Sequence, residues 1–300
     1  MRVLHPLLLA LVIILAACSS TPKEPTYISE ADLYRAAEAQ LQRSQWEAAI
    51  KNLQSLEENF PFGTYADQAQ LELIYAYYMA GNADAAIATA NRFIRLHPQH
   101  RNVDYAHYMM GVAAYDKDQG MFQRILPLDM TRRDVGPARE SLTYFSQLLN
   151  RFPDSPYAPD ARKRMLFLRN VLSRYEIHVA NYYLKRGAYV AATNRGRYVL
   201  ENFPQTPATP DALAVMVQGY KLLQMPEAAE QMLAILRTNY PNHPVLDDKG
   251  QFNEAYSYGN GQRSWISRLT FGLFDKIDPP GFDTRELYDP QYTRVSRPRS

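Results

Sequence analysis

The sequence predicts an all-α protein, a tetratricopeptide-repeat solenoid of about five helix-turn-helix units. Three observations carry that expectation: an aromatic-or-histidine residue followed by proline recurs along the chain, a small residue sits at a fixed distance before each such proline, and large apolar residues fill the helical positions between them. The pairs are Phe60-Pro61, His97-Pro98, Phe152-Pro153, Phe203-Pro204 and Tyr240-Pro241, so the prolines are 37, 55, 51 and 37 residues apart. Proline disfavours the helical conformation in the residue before it, and each pair therefore ends a helix. Ala49, Ala86, Ser141, Ala192 and Ala229 each stand twelve residues before one of those prolines. Leu53 with Leu56, and Leu233 with Leu236, show the apolar filling.

Each unit also has an earlier helix. Counting the proline as the thirty-second position, the eighth is Ala37 or Ala180, Gly111 in the third unit once its inserted residues are left out, and Ile74 and Val217 in the second and fifth units. Breaks such as Gly81-Asn82 and Arg186-Gly187 separate the first helix from the second. Two antiparallel helices with small residues where they cross, repeated at about 34 residues, form the tetratricopeptide pattern. Stacking is what buries the apolar face of each unit, and it produces an extended surface lined by first helices on which other polypeptides can dock.

The two long intervals place the extra residues. Residues 116–136 insert between the two helices of unit three, and Tyr157 to Leu172 adds a helix ahead of unit four that can run on through Ser173–Lys185. The expected organisation is a 1–17 leader, an 18–29 tether, an N-terminal half over 30–153, a C-terminal half over 154–241 and an extension over 242–300. In the extension, 242–264 is polar and turn-rich. Trp265, Ile266, Leu269, Leu273 and Ile277 then share one helical face, giving a short amphipathic helix over 265–277 that seeks a surface. From Pro279 to Ser300 the composition suggests disorder.

Cys18, the only cysteine, is read from its setting. A basic Met1-Arg2 start precedes an apolar run from Val3 to Ala17, and the run ends Leu15-Ala16-Ala17-Cys18. Fifteen residues fall short of the ~20 a spanning helix needs, so the run reads as a signal peptide. Its end is similar to a lipobox, at which the cysteine sulfur is acylated and the leader cleaved. Ser19, after the cysteine, favours the outer membrane in such lipoproteins. With no second cysteine, packing alone must stabilise the fold.

Charge and composition exclude several classes. Hydrophobic residues make up 46% and charged ones 21%, and 33 bases against 31 acids leave a net charge of +2. That gives no clustered positive face for nucleic acid. His97, His100 and His107 lack a cysteine or tight carboxylate pair to complete a metal shell. No His-Glu-x-x-His, phosphate-cradling Gly-x-x-x-x-Gly-Lys or Gly-x-Ser-x-Gly motif occurs. The acids are scattered and read as solvated helix faces. Neither catalysis nor a cofactor is expected, and the chain is read as a scaffold for other proteins.

Several ordered strings carry a closer likeness. Phe60-Pro61-Phe62-Gly63-Thr64-Tyr65, Gln70 through Tyr78, Arg92-Phe93-Ile94-Arg95-Leu96, Asp104-Tyr105, Asp160 through Arg164, Tyr175-Glu176, Tyr182-Tyr183, Arg186-Gly187-Ala188 and Asn194-Arg195 resemble the BamD family. Its members are tetratricopeptide lipoproteins of the outer-membrane β-barrel assembly machinery, and the likeness covers roughly 18–241. The resemblance implies a protein on the periplasmic face of the outer membrane. It would bind a BamA-like barrel subunit through its C-terminal repeats, smaller accessory lipoproteins, and unfolded barrel proteins through its N-terminal repeats. Tyr65, Tyr75, Tyr78 and Tyr105, with Arg92 or Arg95, are then the candidates for holding an aromatic, carboxylate-ended client segment. Arg195 matches a family arginine at the barrel-subunit contact, with Tyr182, Tyr183 and Arg197 beside it. Two other readings share some of these features. Another envelope tetratricopeptide lipoprotein, organising peptidoglycan or a secretion complex, would have lipobox and repeats but not these strings together. A lipid-anchored hydrolase would need a clustered catalytic set.

Overall fold

A computed structural model describes residues 29–117, 129, 131, 134–254, 256 and 281–289. Among them are ten helices of 13 to 28 residues and one four-residue turn of helix. They are α1 (Glu30–Gln42), α2 (Trp46–Asn59), α3 (Ala66–Met79), α4 (Ala83–Leu96), α5 (Val103–Asp116), α6 (Gly136–Arg151), α7 (Ala158–Lys185), α8 (Tyr189–Asn202), α9 (Thr209–Leu222), α10 (Pro226–Asn239) and α11 (Arg285–Tyr288). The chain forms two compact units, one ending at Ala76 and the other beginning at Tyr77. No described helix is long and apolar enough to cross a membrane. Cys18, the leader and the 265–277 helix expected from sequence lie outside the described residues, as does most of the 116–136 insertion.

Helix starts follow from local chemistry. The Ser29 side chain accepts the Asp32 N–H at 3.2 Å, and Asn82 accepts that of Ala85 at 3.1 Å. α6, α7, α9 and α10 carry proline in the first turn, where no donor is lost. Helix ends are still more uniform. Phe60, His97, Phe152, Phe203 and Tyr240 each donate a final N–H four residues back, with φ between −126° and −136° and ψ between 47° and 64°. The following proline holds each of these residues out of helical geometry, as the sequence pattern requires.

The hairpin bends repeat too. Ser44, Gly81, Gly187 and Gln224 have φ of 56°, 78°, 75° and 59°, and all four are exposed. Each stands seventeen residues before its unit's proline. Glycine fits such a left-handed bend without strain, whereas Ser44 and Gln224 adopt it at some cost. In the third unit the same count reaches Gly136, where the inserted segment replaces the tight bend.

Packing matches the repeat reading. Ala49, Ala86, Ser141, Ala192 and Ala229 are all buried, as are Ala37, Ile74, Ala180 and Val217. Where α5 meets α6, a Cβ on Gly111 would stand 2.5 Å from the Phe145 ring, so only glycine fits there. Within the second unit each helix from α4 to α10 contacts the next in sequence. α7 runs unbroken through the extra helix and on to Lys185, touching α6, α8 and α9. Its buried residues join a core that extends from Val112 to Phe282.

Two expectations need correction. The extension is not loose throughout: Val245 and Phe282 are fully buried and Phe252 nearly so, and Leu246 bridges Phe252 in antiparallel fashion. Residues 281–289 lie against the repeats rather than in solvent. Nor are all acids solvated, because Glu176 and Asp211 are both completely buried. Each carboxylate is held there by arginine, which offsets the loss of water.

Candidate functional site

In the first unit, the aromatic candidates sit on short-range partners. Tyr65 stacks on Tyr34 with ring centroids 4.4 Å apart, and its N–H donates to Glu30 Oε1 at 2.7 Å. The Tyr34 hydroxyl donates to Glu72 at 2.7 Å, and burial together with that carboxylate raises its pKa. Tyr75 presents its ring edge-on to Trp46 at 5.9 Å and remains partly exposed. Phe62, on the same loop as Tyr65, is fully exposed.

In the second unit, Tyr78 donates to Asp116 at 2.6 Å, and burial plus that bond push its hydroxyl pKa up. Tyr105 leans on Tyr157 at 5.7 Å, and Tyr157 stacks on Tyr108 at 4.8 Å. Tyr108 in turn donates to Asp160 at 2.8 Å. Tyr78 and Tyr108 each have the hydroxyl occupied by an acid, so these two rings serve packing as well as any ligand. Beside Asp104 opens a pocket of about 400 Å³ whose basic residues are His100, Arg101 and Arg151. Arg92 and Arg95 do not line it; Arg92 is half-buried and Arg95 exposed. Each histidine lies beside a ring: His97 and His100 are 5.0 and 5.2 Å from Phe93, and His107 is 5.5 Å from Phe152. Burial, then Arg151, lowers the His107 pKa.

The C-terminal candidates surround the middle of α7. Glu176 accepts from Arg139 at 2.6 Å on one oxygen and from Arg195 at 2.8 Å on the other. Both arginine side chains stay accessible, 44% and 40% exposed. The bond to Glu176 raises the Arg195 pKa further. Arg197 donates to the Tyr220 hydroxyl at 2.9 Å on the surface. Tyr182 is 53% exposed under the Arg186 guanidinium at 5.3 Å, while Tyr183 packs on the core. Thus Arg195 is both an internal tie and a charge within reach of a partner.

Sequence reasoning missed a second cluster one turn away. Arg174, only 3% exposed, donates to Asp211, and His243 Nε2 lies 3.3 Å from the other Asp211 oxygen. Burial alone would raise the Asp211 pKa, but Arg174, His243 and the Thr284 N–H hold it down to about 2. Nothing in the local pattern of α9 marks Asp211 as buried, because its partners come from three distant segments.

The comparisons decide the family. A family model described as "YfiO: Outer membrane lipoprotein" matches residues 27–236. The chain belongs to that family. Among its relatives, the protein named outer membrane protein assembly factor BamD of Neisseria gonorrhoeae is 40% identical over 214 residues, 71% of this chain and 80% of the relative. The BamD of Vibrio cholerae is 36% identical over 226 residues, covering 75% and 94%. That of Xylella fastidiosa is 36% identical over 217 residues, covering 72% and 74%. The match ends before the 281–289 segment.

Proposed function

We propose that this protein is an outer-membrane protein assembly factor, a scaffold without chemistry of its own that joins barrel-shaped clients to the machinery that inserts them. The observation that carries this reading is the family match over 27–236, which spans the helical repeat up to the last turn of α10 and both candidate surfaces. Relatives bearing the assembly-factor name match 71% to 75% of the chain. Acyl chains on Cys18 hold it to the periplasmic face of the outer membrane. One chain anchors only marginally, so several are required. Tethering raises the effective concentration of whatever the repeats bind.

In this reading the accessible Arg139–Glu176–Arg195 cluster, with Tyr182, Tyr183 and Arg197, meets a BamA-like barrel subunit. Accessory lipoproteins dock elsewhere on the repeats. Half-exposed arginines already held by one carboxylate are preorganised to accept a second from a partner. Tyr65, Tyr75, Tyr78 and Tyr105, with Arg92 and Arg95, serve client segments. The test is a pull-down from detergent-solubilised outer membrane, which should recover barrel-assembly subunits. Recovery of peptidoglycan enzymes in their place would reject the reading. Cys18→Ala should leave the chain soluble in the periplasm, and Arg195→Gln should weaken subunit retention while helical circular dichroism holds.

A further inference from the structure

Residues 281–289 approach the second unit as a peptide approaches a receptor. Asn181 on α7 clamps the backbone of one residue: its Nδ2 donates to the Phe282 carbonyl at 2.9 Å, and its Oδ1 accepts the Phe282 N–H at 3.0 Å. The Phe282 ring is fully buried, 5.8 Å from Tyr256 and 6.4 Å from Phe252. Two residues on, Thr284 donates both its N–H and its hydroxyl to Asp211 on α9, at 2.9 and 3.0 Å. Asp283, between them, lies 3.4 Å from Arg174. Arg285 then reaches Asp129 at 2.7 Å, and Asp129 also accepts the hydroxyl of Thr131, which is 2.9 Å from His178 on α7.

Grooves that recognise peptides divide the labour in this way. Main-chain hydrogen bonds supply binding that any sequence can make, and pockets for alternate side chains supply selection. Phe282 and Thr284 are the alternate side chains here. The contacts bridge 101 residues between Asn181 and Phe282, and residues 257–280 separate the segment from the described body. A segment so remote, held through one amide clamp, one aromatic pocket and one carboxylate, has the contacts of a ligand that shares the chain with its receptor.

We propose that α7 and α9 form a recognition groove for a segment of the pattern aromatic, acid, hydroxyl, base, and that residues 282–285 plug it in cis. A partner protein carrying a segment of that chemistry opens the groove by exchange. Residues 281–289 thereby gate access to the face made by α7 and α9. The inference does not depend on the proposed assembly role.

The test uses the full chain with a protease-cleavage sequence spliced after Gly261. After cutting, at concentrations where light scattering shows a monomer, the C-terminal piece should remain with the body in gel filtration. A synthetic peptide of residues 280–290 in excess should displace it while the body keeps its helical circular dichroism. The same peptide with Phe282→Ala or Thr284→Ala should displace at least about tenfold less well, as expected from a lost pocket or a lost bond to a buried carboxylate. Changing only the peptide leaves the body's folding untouched. Release of the piece on cutting would overturn the proposal. So would loss of body helicity on displacement, equal displacement by a scrambled peptide, or a tail-dependent dimer.

Discussion

Two buried carboxylates, one on α7 and one on α9, have opposite fates. Glu176 and Asp211 are both fully buried and both meet arginine. Around Glu176 the arginines reach solvent from α6 and α8. Around Asp211 the arginine is 3% exposed, and Thr284 and His243 close the remaining sides. An arginine that keeps half its surface can add a partner's acid to the one it already holds. One that is sealed can only stabilise what covers it. The first cluster therefore stands open to solvent, and the second is closed over by residues 281–289.

The sharpest way to break that contrast is to remove each carboxylate. Asp211→Ala leaves the buried Arg174 with Asp283, 3.4 Å away, as its remaining acid and should cost about 3 kcal/mol, read as a fall in denaturant midpoint. Acid should then test the Asp211 cluster without mutation. The Asp211 carboxyl is held near 2, below its value in the unfolded chain, so its contribution is complete above about pH 4 and disappears as pH falls towards 2. The loss amounts to about 2 kcal/mol, measured by urea titration at stepped pH, and Asp211→Asn should flatten it. Glu176→Ala, by contrast, frees two arginines that can turn to water. It should cost only about 1–2 kcal/mol in the same assay. Smallest of all, Arg197→Ala removes an exposed bond to Tyr220 and should change stability by less than about 0.5 kcal/mol. An effect of Glu176→Ala as large as that of Asp211→Ala would erase the distinction.

The repeat was legible because its signals are local. A proline forces the residue before it out of the helix wherever it occurs, and a small residue at a helix crossing is demanded by the distance between two backbones. Five prolines and five small residues therefore marked five hairpins, and all the small residues are buried. The bends were half-read: Gly81 and Gly187 announce a left-handed residue, but Ser44 and Gln224 do the same work without announcing it. Around Glu176, sequence reasoning reached only Arg195, Tyr182 and Arg197 on the surface and Tyr183 beside them. Arg139, Glu176, Asn181 and Asp211 were missed because their significance lies in contacts spanning 19 to 101 residues of sequence, which no periodicity encodes. Residues 281–289 were misjudged for the same reason. Their composition is that of a tail, and only the groove waiting on α7 and α9 makes them part of the core.

The left-handed bends at Ser44, Gly81, Gly187 and Gln224 have a practical corollary. Each is an exposed corner where the chain leaves one rod and enters the next, and the third unit shows that such a corner accommodates a sizeable splice at the register of Gly136 without disturbing the crossing of α5 and α6. Fluorophores, epitope tags or whole reporter domains grafted at those corners would sit on exposed surface, one in the first compact unit and three in the second, giving handles from which each unit could be followed in living envelopes.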